Sequence, residues 1–171
     1  MDISFKTEQG HFNYRVAGLI IHKDQILIMK DETSPYYYIP GGRVSLHESA
    51  ENAIKREIKE ELRIDVKVNR MLWIAENFFV EETNGETFHE VAFYFLLDLV
   101  DTSIFERRNP FVLKENGEQR LRFYWKPIRE LKELYMYPLF LKERILTLPQ
   151  TLEHIIERRC ECPCKKGAIT N

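Results

Sequence analysis

The sequence predicts an α+β fold, a mixed β-sheet sandwiched between helices. Three observations lead there. β-rich runs separated by turn signals fill most of the chain, one strongly helical segment interrupts them near residue 50, and helical patterning returns only toward the C-terminus. Strands and helices do not alternate as regular βαβ units, so the sheet is expected to be mixed.

Each element has its own signal. YRVAGLIIHKDQILIMK, Tyr14 to Lys30, reads as two strands around a polar turn at His22 to Gln25, a hairpin. YYYIPGG reads as a short strand brought to a stop by Pro40 and the glycine pair. From about Glu48 to Leu62, Ala50, Ala53, Ile54, Ile58 and Leu62 recur at helical spacing as an apolar stripe. MLWIAENFFVEE and FHEVAFYFLLDLV read as long strands joined at TNGET, and LRFYWKPI as a further strand. From RELKEL the pattern turns helical. LFLKERILTLPQTLEHIIERR predicts a long amphipathic element kinked or broken at Pro149. No repeat, low-complexity tract or linker divides the chain. One domain is expected over residues 1–156, followed by a cysteine-containing tail over 157–171.

At 171 residues, with 44% hydrophobic and 30% charged residues, the chain can bury a proper core. A formal net charge of -2 exerts no overall pull on nucleic acid or acidic membranes, so any anion binding must come from local groups. No apolar run approaches the roughly 20 residues that span a bilayer. The segment MDISFKTEQGHFNY lacks the basic and apolar regions of a secretory signal. Cys160, Cys162 and Cys164 crowd into RRCECPCKK as two C-x-C pairs, the wrong spacing for zinc and an odd count for a disulfide framework. Free thiols in a reduced, cytoplasmic protein are the expectation.

One feature of the helix at residues 48–62 is odd. Glu57, Glu60 and Glu61 fall within an arc of about 100°, at the edge of the apolar stripe. Carboxylates about 5–6 Å apart repel by roughly 3 kcal/mol per pair at an effective dielectric near 20. A solvated face with an Arg56–Glu60 ion pair would accommodate them. So would a hard divalent cation, which the oxygen donors suit. The Gly41-Gly42 pair just before the helix favours the second reading, because it can present backbone groups to a metal–phosphate unit.

Gly42, Glu48, Arg56, Glu57, Ile58, Glu60, Glu61 and Ile64 stand at the spacing of G-x5-E-x7-R-E-U-x-E-E-x-G-U, where U is a bulky aliphatic residue. This stretch resembles the Nudix box. One position departs: Arg63 replaces the second glycine, at a site where a left-handed helix cap is common. The resemblance implies a Nudix-like α/β/α sandwich and metal-dependent hydrolysis of a pyrophosphate bond in a nucleoside diphosphate linked to a moiety X. It implies Mg²⁺ or Mn²⁺ held by Glu57, Glu60, Glu61 and the Gly41 carbonyl. Glu57 or Glu61 would hold the attacking water, Arg56 would orient Glu57, and Glu48 would anchor the helix entry. Glu118, in KENGEQ beside Glu115, is a candidate late-loop acid.

Arg43 and Lys30 are expected to face the same mouth and bind phosphate, with Tyr36, Tyr37 and Tyr38 offering a possible aromatic shelf. The expected partner is a small nucleotide, such as a nucleoside triphosphate or nucleotide sugar. Neither a membrane nor a nucleic acid is expected as a partner, since no basic-aromatic surface is apparent, and the chain should be a monomer or homodimer. The alternatives are a non-catalytic nucleotide-sensing module on the same fold and an RNA 5'-end pyrophosphohydrolase.

Overall fold

The computed structural model describes residues 1–115 and 119–159; Glu118, Cys160, Cys162 and Cys164 lie outside the described residues. The strands are β1 (Ser4–Thr7), β2 (Gly10–His22), β3 (Gln25–Lys30), β4 (Val66–Val80), β5 (Thr87–Leu99), β6 (Phe111–Glu115), β7 (Gln119–Pro127) and β8 (Glu153–Arg158). They form one sheet in the order β6-β7-β3-β2-β5-β4-β8, with β1 paired to β2. β2–β5 and β4–β8 pair in parallel and the other pairs are antiparallel, so the sheet is mixed as expected.

Period-two alternation divides the core between the two faces. Val16, Ile20, Leu27, Met29, Phe95 and Leu97 pack with Ala53, Ile54, Ile58 and Leu62 of helix α1 (Ala50–Leu62). Ala17, Leu19, Ile26, Ile28, Trp73 and Tyr94 pack on the other side, with Leu131, Met136, Leu141 and Ile145. Gly18 permits the close approach of α1, since a Cβ there would lie 2.4 Å from Leu97 Cδ1 and 3.2 Å from Ile54 Cδ1.

Helix α1 starts where Ser49 accepts a hydrogen bond from Asn52 N. It ends at Arg63, which adopts the left-handed conformation (φ 61°, ψ 32°) and donates its N–H to Lys59 O. Arginine thus takes the cap geometry that glycine adopts more cheaply.

The C-terminal third differs from the predicted pattern. RELKEL falls within a 3₁₀ turn, Ile128–Glu133, and the long amphipathic element is only a short helix α2, Leu141–Arg144. Beyond Pro149 the chain forms strand β8, parallel to β4. EHIIER satisfies both periodicities over so short a run, and the neighbouring β4 edge decides between them. The ordered body also continues past residue 156: β8 runs to Arg158, and Arg159 N donates to Phe78 O. Strand β6, short and half exposed, had no distinct signal. YYYIPGG is not a strand but two isolated bridges, Met29–Tyr38 and Tyr37–Met136. Among the described residues no helix is long and apolar enough to cross a membrane.

Candidate active site

β2 pairs with β3 only at Ile21–Ile26 and His22–Gln25. Beyond that point residues 38–44 fill the gap between them. Tyr38 and Met29 exchange hydrogen bonds on one side; on the other, Gly18 N and Val16 N donate to Pro40 O and Gly42 O, and Val44 N donates to Tyr14 O. Position 40 supplies only its carbonyl to β2, so proline fits without leaving a donor unpaired. Gly41, at φ +145°, passes so close to β2 that a Cβ would lie 2.2 Å from Val16 O.

This insertion brings the glycine pair against the end of α1 and opens a cleft of about 620 Å³. Gly41, Gly42, Arg43, Arg56, Glu57, Glu60 and Glu61 line one end of it. Glu57 and Glu61 are only 8% and 4% exposed, whereas Glu60 lies nearer the rim. Glu61 Oε2 accepts from Gly41 N at 3.0 Å. A Cβ on Gly42 would lie 2.3 Å from the Glu57 carboxyl carbon, so the missing side chain is what admits that carboxylate.

Arg56 is the hub of the cluster. Its Nε and Nη2 donate to the two oxygens of Glu48, both at 2.9 Å, and Nη1 donates to Glu57 Oε1 at 2.7 Å. Nη1 also reaches Glu60 Oε2 at 3.4 Å, and Nη2 holds Arg43 O at 3.0 Å. These bonds to Glu48 push the guanidinium pKa further up, and the same bonds hold the Glu48 carboxyl below the usual range. Glu48 also accepts from Ser45 N, closing the loop onto the helix. Burial raises the Glu57 pKa despite the opposing pull of Arg56. The like charges are therefore tolerated through one buried-side arginine rather than through solvent alone. Ile58 and Ile64 are core residues that fix the helix's rotation.

The donor set at this end is all oxygen, which fits a hard divalent cation and not a thiophilic one. Among the described residues no group of three His, Cys, Asp or Glu side chains is already gathered into a metal cage. Arg56 and Gly41 hold the carboxylates on separate donors.

Some predicted residues are elsewhere. Strand alternation sends Lys30 to the opposite side from Met29; its Nζ donates to Pro35 O and lies over the Tyr37 ring, and the residue lines a separate 280 Å³ pocket with Arg120, Arg122 and Tyr124. It does not face the same mouth as Arg43. Tyr36 and Tyr38 line the cleft, whereas Tyr37 packs edge-on against Tyr124. That second pocket sets three basic side chains and two tyrosines beside Asp31 and Glu32, a grouping the sequence did not reveal.

The cleft also contains residues that sequence reasoning missed. Arg15 Nη2 donates to Gly41 O at 3.1 Å. Burial works to lower its pKa, but Glu90, Tyr38, Glu61 and Tyr94 together raise it. Asn13, Asn77, Glu90, Phe79, Phe88 and Arg159 line the far half. For Arg15 and Asn77 the signal was a polar residue breaking the apolar face of a strand, in YRVAGLII and AENFFV.

The profile of the NUDIX domain matches residues 12–144, which covers the inserted loop, α1 and most of the residues that line this cleft. The chain belongs to the NUDIX family. An ADP-ribose pyrophosphatase from Methanocaldococcus jannaschii is 31% identical to this NUDIX protein over 88 residues, 50% of each chain. The match thus spans about half the length of that relative. Among solved structures, an ADP-ribose pyrophosphatase from Streptococcus suis superposes with a TM-score of 0.55 at 15% identity, covering 85% of this chain and 98% of that one. A MutT protein from Methanosarcina mazei Go1 gives 0.58 at 19% identity, covering 81% and 92%. At these identities the structures show a common NUDIX fold, an α+β sandwich around a mixed sheet.

Proposed function

We propose that this NUDIX protein hydrolyses the pyrophosphate bond of a nucleoside diphosphate-X substrate with the help of Mg²⁺ or Mn²⁺. One observation carries the reading: two nearly buried carboxylates, Glu57 and Glu61, line the same cleft as a guanidinium, Arg15, with Glu61 and Arg15 both bonded to Gly41 and Glu57 packed against Gly42. Such a site attracts both a cation and a polyanion. Glu57, Glu60, Glu61 and the Gly41 carbonyl would hold the cation, whose positive charge would supply neutralisation of phosphate oxygens and acidification of water.

The chain's own residues do the rest. Arg56 positions Glu57 through the 2.7 Å Nη1–Oε1 bond. Arg15 holds a phosphate oxygen where negative charge grows during phosphoryl transfer, and Arg43 meets the substrate at the rim. Glu57, held by Arg56 against the glycine loop, is placed to take a proton from the attacking water. The water oxygen bonds to one phosphorus, the bridging P–O bond breaks, and two phosphate monoesters leave. ADP-ribose is the first substrate to try, because the M. jannaschii relative is named for it.

Hydrolysis at an RNA 5' end is a second reading. It is favoured by the pocket of Lys30, Arg120, Arg122, Tyr37 and Tyr124, which shares Asp31 with the cleft. A screen of nucleotide sugars, dinucleoside polyphosphates, nucleoside triphosphates and 5'-triphosphorylated RNA, with products identified by mass, tests both. Activity must require Mg²⁺ or Mn²⁺ and vanish with chelator. No turnover of any substrate, with binding retained, would instead mark a nucleotide-sensing module.

A further inference from the structure

The far half of the cleft has a chemistry of its own. Asn13, Glu90 and Asn77 stand in register across β2, β5 and β4, so their side chains leave the sheet side by side on one face. All three are buried and all line the cleft. Asn77 Nδ2 donates to Glu90 Oε1 at 3.1 Å. A carboxylate only accepts, so this bond fixes which way the amide points. Among the described residues Asn77 Oδ1 is then left without a hydrogen-bond partner, at a residue 1% exposed. A row serving packing alone would carry apolar residues there, because an unpaired buried acceptor destabilises the fold.

The next row along the same face is aromatic. Phe88 and Phe79 stack at 5.1 Å with 6° between their planes, and Arg159 lies 4.2 Å over Phe79 and 3.8 Å over Tyr137. Phe79, Phe88, Tyr137 and Arg159 line the cleft with the acceptor row. An acceptor beside flat apolar surface is complementary to a ring that has one apolar face and carries hydrogen-bond donors on its edge.

We propose that Glu90, positioned by Asn77, is the specificity residue of this cleft and accepts hydrogen bonds from donors on the edge of a ring of the substrate. The inference rests on the nucleoside diphosphate-X reading and names what the cleft recognises beyond the pyrophosphate. Two parts of such a substrate carry this chemistry: the exocyclic amine of a base and the vicinal diol of a sugar. Either would lie on the aromatic row with its donors toward Glu90. Asn77 holds the carboxylate in place through Nδ2, and its Oδ1 stands beside it as a further acceptor for the same donors.

Equilibrium binding tests the assignment without relying on turnover. The probes are ADP-ribose and UDP-glucose, together with analogues lacking the base amine or one hydroxyl of a sugar diol. On the parent chain, one class of deletion is expected to weaken binding about 10- to 100-fold, as a lost charge-assisted hydrogen bond does. Glu90→Gln should weaken the intact ligand by a similar factor and become indifferent to that deletion. Asn77→Leu should lose the same discrimination in part. The sensitive deletion identifies base or sugar as the source. A parent chain indifferent to every deletion overturns the proposal, as does failure of both ligands to bind at millimolar concentration or equal weakening of every ligand by Glu90→Gln. Hydrolysis is scored separately. Turnover without a deletion effect keeps the hydrolase reading and removes this one; a deletion effect without turnover does the reverse.

Discussion

Replacing Gly42 by alanine adds one methyl group to the loop and asks whether the Glu57 carboxylate must stay where the fold puts it. The new Cβ would lie 2.3 Å from the carboxyl carbon and Oε2 of Glu57, and 2.5 Å from Oε1. Ordinary contact begins near 3.5 Å, so the carboxylate must retreat by roughly 1 Å. Gly42 has no positive φ, so alanine adds no backbone strain of its own. The retreat stretches the 2.7 Å bond from Arg56 Nη1, while both bonds from Arg56 to Glu48 survive. A bond to a charged group contributes about 1.5–3 kcal/mol, and partial loss here should destabilise by about 1–2 kcal/mol, a few degrees in Tm. Catalysis should suffer far more, since a reacting group displaced by about 1 Å loses on the order of 100-fold in rate. Thermal melting and steady-state kinetics on the same preparation separate the two effects. Gly41→Ala is the contrast: its Cβ meets Val16 O at 2.2 Å, at φ +145°, so stability should fall first. Normal turnover in a well-folded Gly42→Ala chain would show that Glu57 has no part in the chemistry.

Other consequences can be checked alongside. Arg15→Ala should lower kcat/KM by about 10- to 100-fold as a charge-assisted phosphate contact is lost, and by more than Arg43→Ala, whose side chain is exposed; equal and small effects would remove Arg15 from the site. Arg63→Gly should raise stability by up to about 1 kcal/mol in chemical denaturation, because glycine takes the left-handed cap without strain; a clear loss would mean that the Arg63 Nη2 bond to Lys114 O outweighs it. The Asp31 carboxyl is pushed down to about 2: burial works to raise it, but bonds from Thr33, Ser34 and Tyr38 more than offset burial. Its folded pKa being the lower one, its contribution is present above the ordinary value of 3.8 and is lost as pH falls toward 2. At this partly exposed site the effect is about 1 kcal/mol after solvent screening, so Asp31→Asn should flatten that part of the acid limb of a Tm-versus-pH curve.

The elements that can be read from sequence are those whose neighbours agree with their local pattern. The β2–β3 hairpin, α1 and the β4–β5 hairpin carry strong periodicity and clear turns, and the structure forms them near the expected boundaries. EHIIER fits a helix or a strand equally well, and only its pairing with Trp73–Phe78 of β4 makes it β8. YYYIPGG has strand composition, yet its backbone is shared between β2 and β3 as a wedge, with too few consecutive pairs on either side to form a ladder. Lys30 fails for a simpler reason: one residue along a strand is the other face of the sheet.

The site shows the same division. The carboxylates of α1 are close in sequence, so helical spacing alone reveals their crowding. What makes the crowding tolerable is only partly local in sequence. Glu48 grips Arg56 across the helix entry, Arg56 turns Nη1 to Glu57 and Glu60, and Gly41 N takes Glu61 from a loop wedged into the sheet. Arg15, Asn77 and Glu90 come from three strands that meet only through sheet pairing. Each is a polar residue on an inward strand position, where it is costly unless it meets a partner. Such positions are visible as breaks in an apolar alternation even when their partners are not. In this chain those breaks mark the cleft beyond the NUDIX motif, where the proposed contact of Glu90 with substrate is placed.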